Sequence, residues 1–357
     1  MKSAVDVSKK NMCCYCGSCV SLCPNNTLQC SNGCISYKKN AVCTSCGLCL
    51  AVCPSLNDLQ KTSVLECYSA YSQCNDIRFN ASSGGFITQF LIDLLENGTI
   101  DGAIVCDYVN NAFTPQSVVA RSINEIAKAS ASKYCPVPMN LVLSELTTGR
   151  YAFVGLPCHI KALRLFQNHN RQIRYSIIIA IGLFCNHTPQ YRATDYLLYN
   201  YKIKKRDVIK IQYRGDGWPG SMRIFQKNGK IIKILNVWET GFGKFFIPPA
   251  CRRCRDVFSE HADISVGDPW LKEYSTDTLG TSLVIARTAA AVQLIKTSSN
   301  IVINSIGYDK VLESQKKLYS IKVNGKMAVR RRIYFILGKF RILWRLLFLL
   351  QKFSGRS

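Results

Sequence analysis

Cysteines in a repeated pattern are the residues of this chain best suited to do chemistry. The pattern C-x2-C-x2-C-x3-C-P occurs twice, with its cysteines at Cys13, Cys16, Cys19, Cys23, Cys43, Cys46, Cys49 and Cys53. This tight spacing lets one loop supply three thiolates to a 4Fe–4S cubane, while the fourth cysteine of each run ligates the other cluster. The pattern therefore predicts two clusters, with Cys53 completing the first and Cys23 completing the second.

Two other kinds of chemistry also use many cysteines. A disulfide framework would not produce the same spacing twice, and zinc ribbons use paired C-x2-C units, usually without a third and fourth cysteine in this register. Cluster binding is therefore the favoured interpretation. Cys14, Cys30 and Cys34 fall outside the pattern, and we expect them to serve packing.

Composition and length indicate a folded protein with room for a small module and a larger domain. The chain has 357 residues, 48% of them hydrophobic and 19% charged, as in folded proteins. Its 19 cysteines follow no apolar leader segment, so we expect a reducing cytoplasm in which thiols stay free to bind metal.

The formal net charge of +24 is strongly basic. Each ligated cluster would lower this sum by about two units. Such a charge suits acidic partners, an anionic membrane surface or nucleic acid. The sequence has no helix-turn-helix or RNP signature, so we do not expect a nucleic-acid partner.

Further candidate residues lie outside the repeated pattern. Residues 81–86 read ASSGGF and open a predicted helix, whose N-terminus could bind a phosphate, although Ser82 or Ser83 could equally be a plain helix cap. Cys158 follows a strand and begins a helix, a position that suits metal ligation or nucleophilic chemistry. Cys185 ends the next strand, and Cys251 and Cys254 form a C-x2-C unit among arginines. Burial as small apolar residues is the alternative for these four cysteines.

Strands and helices alternate through most of the chain and would position these residues. Asn-Gly at positions 32–33 predicts a hairpin inside the cysteine module. After a linker at 58–63, the periodicity predicts strands at 65–71, 102–106, 151–154, 177–181, 208–213, 221–226, 230–237, 263–266 and 282–287, and helices at 85–96, 123–130, 159–168, 190–201 and 289–297. The expected fold class is α+β with an α/β-like core.

The last segment of the chain has a different composition. Residues 326–357 contain nine basic residues and no acidic one, and an apolar run at 333–350 is interrupted by three basic residues. No apolar run reaches the roughly 18 residues that a spanning helix needs. We expect a basic amphipathic helix that lies on an anionic membrane surface; docking on the protein's own core or on a partner is the alternative.

Several motifs follow one another in the order SSGGF, SKY, GLPCHIKAL, GLFCNH, GWPG, CRRCRD, ADISVGDPW and GTSLVIART. This order resembles that of the beta subunit family of coenzyme F420-reducing hydrogenase and dehydrogenase, which also includes the plant 7-hydroxymethyl chlorophyll a reductase. The resemblance covers about residues 65–300. It implies an iron–sulfur flavoprotein with FAD and a cluster beside it. By motif, the implied flavin residues are Ser83, Gly84, Gly85, Thr88, Lys133 and Tyr134. The implied ligands of a third 4Fe–4S cluster are Cys158, Cys185, Cys251 and Cys254.

These observations predict three parts: a two-cluster ferredoxin-type module at 1–60, a flavin- and cluster-binding catalytic domain at 61–325, and the basic tail. The expected function is an oxidoreductase that passes electrons between 4Fe–4S clusters and FAD, to or from an organic molecule such as a deazaflavin. The alternatives are a non-catalytic electron-transfer subunit that feeds a partner enzyme, and a membrane-associated assembly protein with structural clusters. We expect a redox protein or a small electron carrier as partner, and a cytoplasmic location, with the membrane's inner face as an alternative. Catalytic residues stay unassigned, with weak candidates at His159, His187, Asp263 and Asp268.

Overall fold

The computed structural model describes residues 1–109 and 113–323. The predicted basic tail lies outside the described residues. Within them, no helix combines the length and apolar character needed to cross a membrane.

The N-terminal module consists of short elements joined by loops. These are α1 (Ala4–Lys9), α2 (Ser18–Ser21), β1 (Leu28–Ser31), β2 (Cys34–Tyr37) and α3 (Leu48–Ala51). The strands β1 and β2 pair as an antiparallel hairpin in which Ser31 lies opposite Cys34. The hairpin expected at Asn32-Gly33 is therefore present.

A mixed eight-stranded sheet forms the centre of the larger domain. Its strands, in chain order, are β3 (Glu66–Ser72), β4 (Gly102–Asp107), β5 (Gln116–Ala120), β6 (Tyr151–Gly155), β7 (Ile177–Leu183), β11 (Ile264–Gly267), β12 (Ser282–Ala286) and β13 (Ile301–Ser305). Their spatial order is β13-β3-β12-β11-β7-β6-β4-β5. Four adjacent strands, β11, β7, β6 and β4, run parallel, so their carboxyl ends lie at one edge of the sheet.

The remaining elements surround this sheet. A separate antiparallel sheet has the order β10-β9-β8, with β8 (Val208–Gln212), β9 (Met222–Gln226) and β10 (Ile231–Ile234). The helices, in chain order, are α4 (Asn75–Asn80), α5 (Phe86–Glu96), α6 (Ile123–Lys128), α7 (Pro157–Gln167), α8 (Arg171–Ser176), α9 (Arg192–Asn200), α10 (Phe242–Phe245), α11 (Pro249–Arg253), α12 (Ala289–Thr297), α13 (Tyr308–Ser314) and α14 (Lys316–Lys322). Short 3-10 helices lie at Met139–Glu145, Lys205–Asp207, Val237–Glu239 and Lys272–Tyr274.

The cysteine module packs directly on the larger domain. One hydrophobic cluster contains Val5 and Ile35 of the module together with Met139 and Phe153 of the larger domain. Asn140 is fully buried at this contact. Its backbone N–H donates to the Cys16 carbonyl at 2.8 Å, and its side chain donates to Ser18 Oγ at 2.9 Å. These two hydrogen bonds of Asn140 therefore fix the position of the cysteine loop on the larger domain.

The mixed sheet with surrounding helices confirms the predicted α+β class. Most predicted elements lie within a few residues of their expected positions, and helix α12 has the predicted bounds. The sequence prediction omitted the edge strands β5 and β13 and the helices after β13. Both strands lie at the sheet's outer edges and have only five residues each, and neither shows the alternation of buried and exposed positions that marks a strand. The domain boundaries at 60 and 325 stay predictions.

Candidate functional site

Three groups of four cysteines form the candidate metal centres. We define group A as Cys13, Cys16, Cys19 and Cys53, group B as Cys43, Cys46, Cys49 and Cys23, and group C as Cys158, Cys185, Cys251 and Cys254. Each group joins segments that are separate in the sequence.

Group A surrounds a small cavity in the module. All four of its cysteines line that cavity, together with Val7, Ile35 and Val52. Burial, with Cys16 and Cys53 as neighbours, raises the pKa of Cys13 to about 12. Cys53 thus lies with the first cysteine run although it belongs to the second.

Group B surrounds a second cavity, and its cysteines are more exposed than those of group A. Its lining contains Cys23 of the first run and the first three cysteines of the second. Burial and the neighbouring thiols of Cys43, Cys46 and Cys23 raise the pKa of Cys49. The Ala4 N–H, at the N-terminus of α1, donates to Cys49 Sγ at 3.4 Å. Such a bond favours negative charge on the sulfur.

Group C lies at the carboxyl ends of the parallel strands. Strands β6 and β7 are adjacent and parallel, with Gly155 beside Gly182. Cys158 follows β6 in the first turn of α7, and Cys185 follows β7. The Cys185 N–H donates to the Val257 carbonyl at 2.9 Å, which ties this strand end to the segment after α11. The C-x2-C unit lies directly before that segment, with Cys251 in α11 and Cys254 at its C-terminal cap.

The thiols of group C influence one another electrostatically. Burial raises the pKa of Cys185 to about 12, and its thiol neighbours Cys251 and Cys254 add to the shift. A hydrogen bond with Cys14 lowers the pKa of Cys158, but burial and the other three thiols of the group raise it further, above its ordinary value. The four cysteines therefore form one partly buried cluster of thiols.

Cys14 connects group A to group C. The neighbouring Cys158 thiol of group C raises the pKa of Cys14 and the Cys16 thiol of group A lowers it, and with burial the net shift is upward, so Cys14 lies beside both groups. The sequence predicted that Cys14 serves packing, but its position between groups A and C goes beyond that role. A cysteine beside a motif cysteine carries no sequence signal for such a bridge, because the partner Cys158 is 144 residues away in the chain.

The residues implied for flavin binding lie on two loops that the structure brings together. Ser82 Oγ accepts a hydrogen bond of 2.8 Å from the Ser132 N–H. Gly85, with φ +72°, caps helix α5 without a side-chain hydrogen bond, so the first N–H groups of this helix can bind an anion. A Cβ on Gly84 would lie 2.6 Å from the Ala70 carbonyl oxygen. Gly84 thus allows the loop to pack on the strands.

The other implied flavin residues differ in exposure and contacts. Thr88 is buried in α5, and Ser83 Oγ donates to the Thr281 carbonyl. Lys133 Nζ donates to the carbonyls of Ala129 and Ser130 at 2.6 and 2.8 Å. Burial lowers the pKa of Lys133. A buried cation and an open helix N-terminus fit the phosphates of a dinucleotide.

Aromatic side chains connect the flavin loops to group C. The rings of Tyr134 and Trp238 meet edge to face with centroids 4.5 Å apart. The ring of His187, two residues after Cys185, lies 5.8 Å from that of Trp238. No sequence pattern indicated that Trp238 belongs to the candidate site, because the contacts that place it there involve three separate segments of the chain.

Three of the four weak catalytic candidates have hydrogen bonds that explain their presence structurally. His159 Nδ1 accepts from the Leu156 N–H at 3.2 Å, and burial lowers the pKa of His159 to about 3. Asp263 accepts from the Ala180 N–H at 2.7 Å and pairs with Arg164 at 2.9 Å.

Asp268 forms a bidentate pair with Arg214, at 2.7 and 2.8 Å, and also accepts from Trp218 Nε1. By contrast, His187 Nε2 is buried without a hydrogen-bond partner among the described residues. Of the four, only His187 has an unused polar atom beside the candidate cofactor sites.

The donor sets fit 4Fe–4S clusters in number and chemistry. A cubane takes four thiolates, one for each iron, and each group offers four. In the described part of the chain, no three His, Cys, Asp or Glu side chains converge as ligands of a single metal ion. Thiolates that bind different irons need not converge on one point.

The fold resembles that of one chain in a solved hydrogenase complex. One chain of the F420-reducing NiFe hydrogenase complex from Methanosarcina barkeri superposes with a TM-score of 0.59 at 24% identity, covering 78% of this chain and 96% of that chain. At this identity the likeness concerns the fold alone.

Sequence comparisons agree with the fold. The family model for the C-terminal part of the coenzyme F420 hydrogenase/dehydrogenase beta subunit matches residues 148–306. The model for the N-terminal part of the same family matches residues 67–144. The chain belongs to this beta subunit family, as its motif order predicted.

Individual relatives match parts of the chain. Coenzyme F420-dependent sulfite reductase of Methanocaldococcus jannaschii is 27% identical over 286 residues, which span 73% of this chain but only 43% of that protein. Coenzyme F420 hydrogenase subunit beta of Methanosarcina barkeri is 26% identical over 218 residues, which span 56% of this chain and 69% of the relative.

Proposed function

We propose that the protein is an iron–sulfur flavoprotein oxidoreductase. In this proposal groups A, B and C hold one 4Fe–4S cluster each, FAD lies on the loops at 82–85 and 131–134, and electrons pass to or from an organic molecule. A bound flavin exchanges single electrons with clusters and electron pairs with organic compounds.

The observation that carries this proposal is the continuous chain of contacts between the candidate sites. Cys14 joins group A to group C, and the rings of His187, Trp238 and Tyr134 join group C to the flavin loops. Direct contacts of this kind keep cofactors close, and the buried setting excludes water from the space between them. The protein's part is to hold and orient the groups and to set their electrostatics.

The organic partner is proposed from the relatives. The names of two of them include coenzyme F420, a deazaflavin, which makes a deazaflavin the first candidate. The strongly basic charge of the chain suits an anionic carrier. A different small carrier or a redox protein is the alternative partner.

A second candidate function is electron transfer within a larger complex. The structural relative belongs to a hydrogenase complex, and one sequence relative is a subunit by name. In that role this chain would feed a partner enzyme and would not itself reduce a small molecule.

The membrane surface proposed for the tail remains a prediction from the sequence.

Anaerobic purification with quantification of iron, sulfide and flavin tests the proposal. We expect about twelve irons, about twelve sulfides and one FAD per chain, four irons and four sulfides for each cubane. Reduction of a deazaflavin by the purified chain alone would favour the enzyme, and reduction of a partner protein only would favour the subunit. Zinc without sulfide would refute the cluster assignment.

A further inference from the structure

Lys322, at the end of α14, lies among the group C cysteines. It falls beyond the family match, which ends at residue 306, and no sequence motif marks it. The residue is only 7% exposed, which is unusual for lysine because burial of an ammonium group is costly unless it is compensated.

The contacts of this ammonium group all lead to group C. Lys322 Nζ donates to the Cys185 carbonyl at 2.9 Å and to the Asp256 carbonyl at 2.5 Å. The charges of the Cys185 and Cys254 thiols also raise the pKa of Lys322, although burial opposes this shift. One of the two carbonyl acceptors belongs to a residue of group C, and the other lies two residues after Cys254.

No carboxylate contacts the ammonium group of Lys322 directly. Within residues 1–109 and 113–323, Lys322 forms no ion pair with an acidic side chain. The Asp256 carboxylate accepts from the Glu260 N–H at 3.1 Å and supports the charge of Lys322 only at longer range. Carbonyl oxygens supply dipoles but no net negative charge, so negative charge on the neighbouring sulfurs of Cys185 and Cys254 stabilises this buried cation further.

We propose that Lys322 is the counter-charge of the third cluster, and that it raises the reduction potential of this cluster. The inference rests on the proposed cluster at group C. Such a cluster with four thiolates carries about two negative charges, and its potential depends on net charge and on hydrogen bonds to its sulfurs. Reduction adds one electron, which a fixed positive charge at contact distance stabilises.

The position of Lys322 also couples the end of the described chain to the cluster. Helix α14 packs into the hydrophobic cluster that includes Val257 and Phe258, next to the C-x2-C segment. The ammonium bonds to both the strand end at Cys185 and the segment at Asp256. One side chain therefore holds together the two segments that supply three of the four thiols.

The test uses the full-length chain purified without oxygen, with Lys322→Met as the neutral variant of similar shape. Dithionite supplies one electron per cluster in a titration monitored by electron paramagnetic resonance. The signal of the third cluster is identified as the one that Cys251→Ala lacks. At a fixed ambient potential, we expect the ratio of reduced to oxidised third cluster to fall about tenfold or more in Lys322→Met.

Two further variants serve as controls. Lys322→Arg keeps the positive charge and should keep the potential near that of the unmodified protein. Lys317→Met removes an exposed charge from the same helix and should leave the potential unchanged. Selective loss of about four irons in Lys322→Met, with full iron in Lys322→Arg, would equally support a counter-charge.

Other outcomes overturn the inference. An unchanged potential in Lys322→Met with about twelve irons would show that the charge does not act on the cluster. An unchanged potential in Lys322→Met together with loss of folding in Lys322→Arg would assign Lys322 to packing alone. An unmodified protein with about eight irons would instead refute the third cluster itself, which separates failure of the proposed function from failure of this inference.

Discussion

Burial changes the chemistry of the cysteine side chains before any cluster is present. It raises the pKa of Cys13 and of Cys185 to about 12 in each case. These two thiols therefore stay protonated at neutral pH in the absence of a cluster. Ligation replaces these protons by iron, so cluster assembly must release them. An iron–sulfur core stabilises thiolates that the buried sites would otherwise disfavour.

We predict that Cys251→Ala removes the third cluster selectively. A cubane that loses one of four thiolates is weakly held, so the iron content should fall by about four from about twelve, while groups A and B keep theirs. Flavin should remain bound, but its reduction through the clusters should slow sharply. Iron and sulfide assays with the visible flavin spectrum measure both effects.

The matched control is Cys67→Ala, which removes a buried cysteine outside the three groups. This variant should keep all of its iron. Full iron and sulfide in both Cys251→Ala and Cys158→Ala would exclude a third cluster at group C.

At the scale of elements, the carboxyl ends of the parallel strands hold several loops in place. Strand β11 ends just before Asp268, whose carboxylate binds Arg214 and Trp218 of the loop that follows β8. The Asp268 carbonyl in turn accepts from Gln315 Nε2 at 2.8 Å, between α13 and α14. One residue thus links the central sheet to the separate β8–β10 sheet and to the last two helices.

We predict that Asp268→Ala destabilises the protein by about 3–5 kcal/mol. The Arg214 and Asp268 side chains are only 10% and 18% exposed, so the substitution leaves a buried guanidinium without its carboxylate. Urea unfolding monitored by circular dichroism measures the change. The effect should be one of stability, because Asp268 has no free oxygen for acid–base chemistry in this geometry.

The control for this prediction is Glu313→Ala, which breaks the Lys310–Glu313 pair at 3.0 Å. Both side chains of that pair are about half exposed. Loss of such a surface pair should cost about 0–1 kcal/mol. Equal effects of the two substitutions would contradict the structural role given to Asp268.

At the scale of the whole molecule, the cysteine module packs tightly against the larger domain. The Gly17 turn lies so close to the 3-10 helix at Met139–Glu145 that a Cβ on Gly17 would be 2.9 Å from the Leu141 nitrogen. Asn140 on that helix binds both the module and the His159 carbonyl of α7 at 3.0 Å. Docking therefore places group A next to group C and makes the Cys14 bridge possible.

We predict that Asn140→Ala loosens this docking. It removes two buried side-chain hydrogen bonds and leaves the Ser18 hydroxyl with one partner fewer, at a cost of about 1–3 kcal/mol. Under native conditions, trypsin should cleave faster at Lys61 in the linker between the module and the larger domain. Mass spectrometry of the fragments over time measures the rate.

Asn200→Ala changes an exposed asparagine at the end of α9 and should leave the cleavage rate unaltered. An unchanged rate in Asn140→Ala as well would show that the hydrophobic contacts alone hold the module in place. That result would leave the cluster assignments untouched.

The sequence by itself determined the features that depend on local spacing. The two cysteine runs, the Asn32-Gly33 hairpin and most strands and helices follow from short-range rules, because spacing along the chain fixes what one loop or one element can do. The family was also evident from the order of short motifs. The four ligands of group C were implied only by the family resemblance, because the spacing of Cys251 and Cys254 by itself indicates just two of them.

Only the tertiary structure decided which distant residues meet. Cys14 reaches Cys158, Trp238 lies between His187 and Tyr134, and Lys322 enters group C from the last described helix. None of these contacts has a sequence signal, because each depends on how the sheet order and the docking of separate segments bring side chains together. A buried lysine looks like any surface lysine in the sequence, and only the packing around it reveals its charge as part of a site.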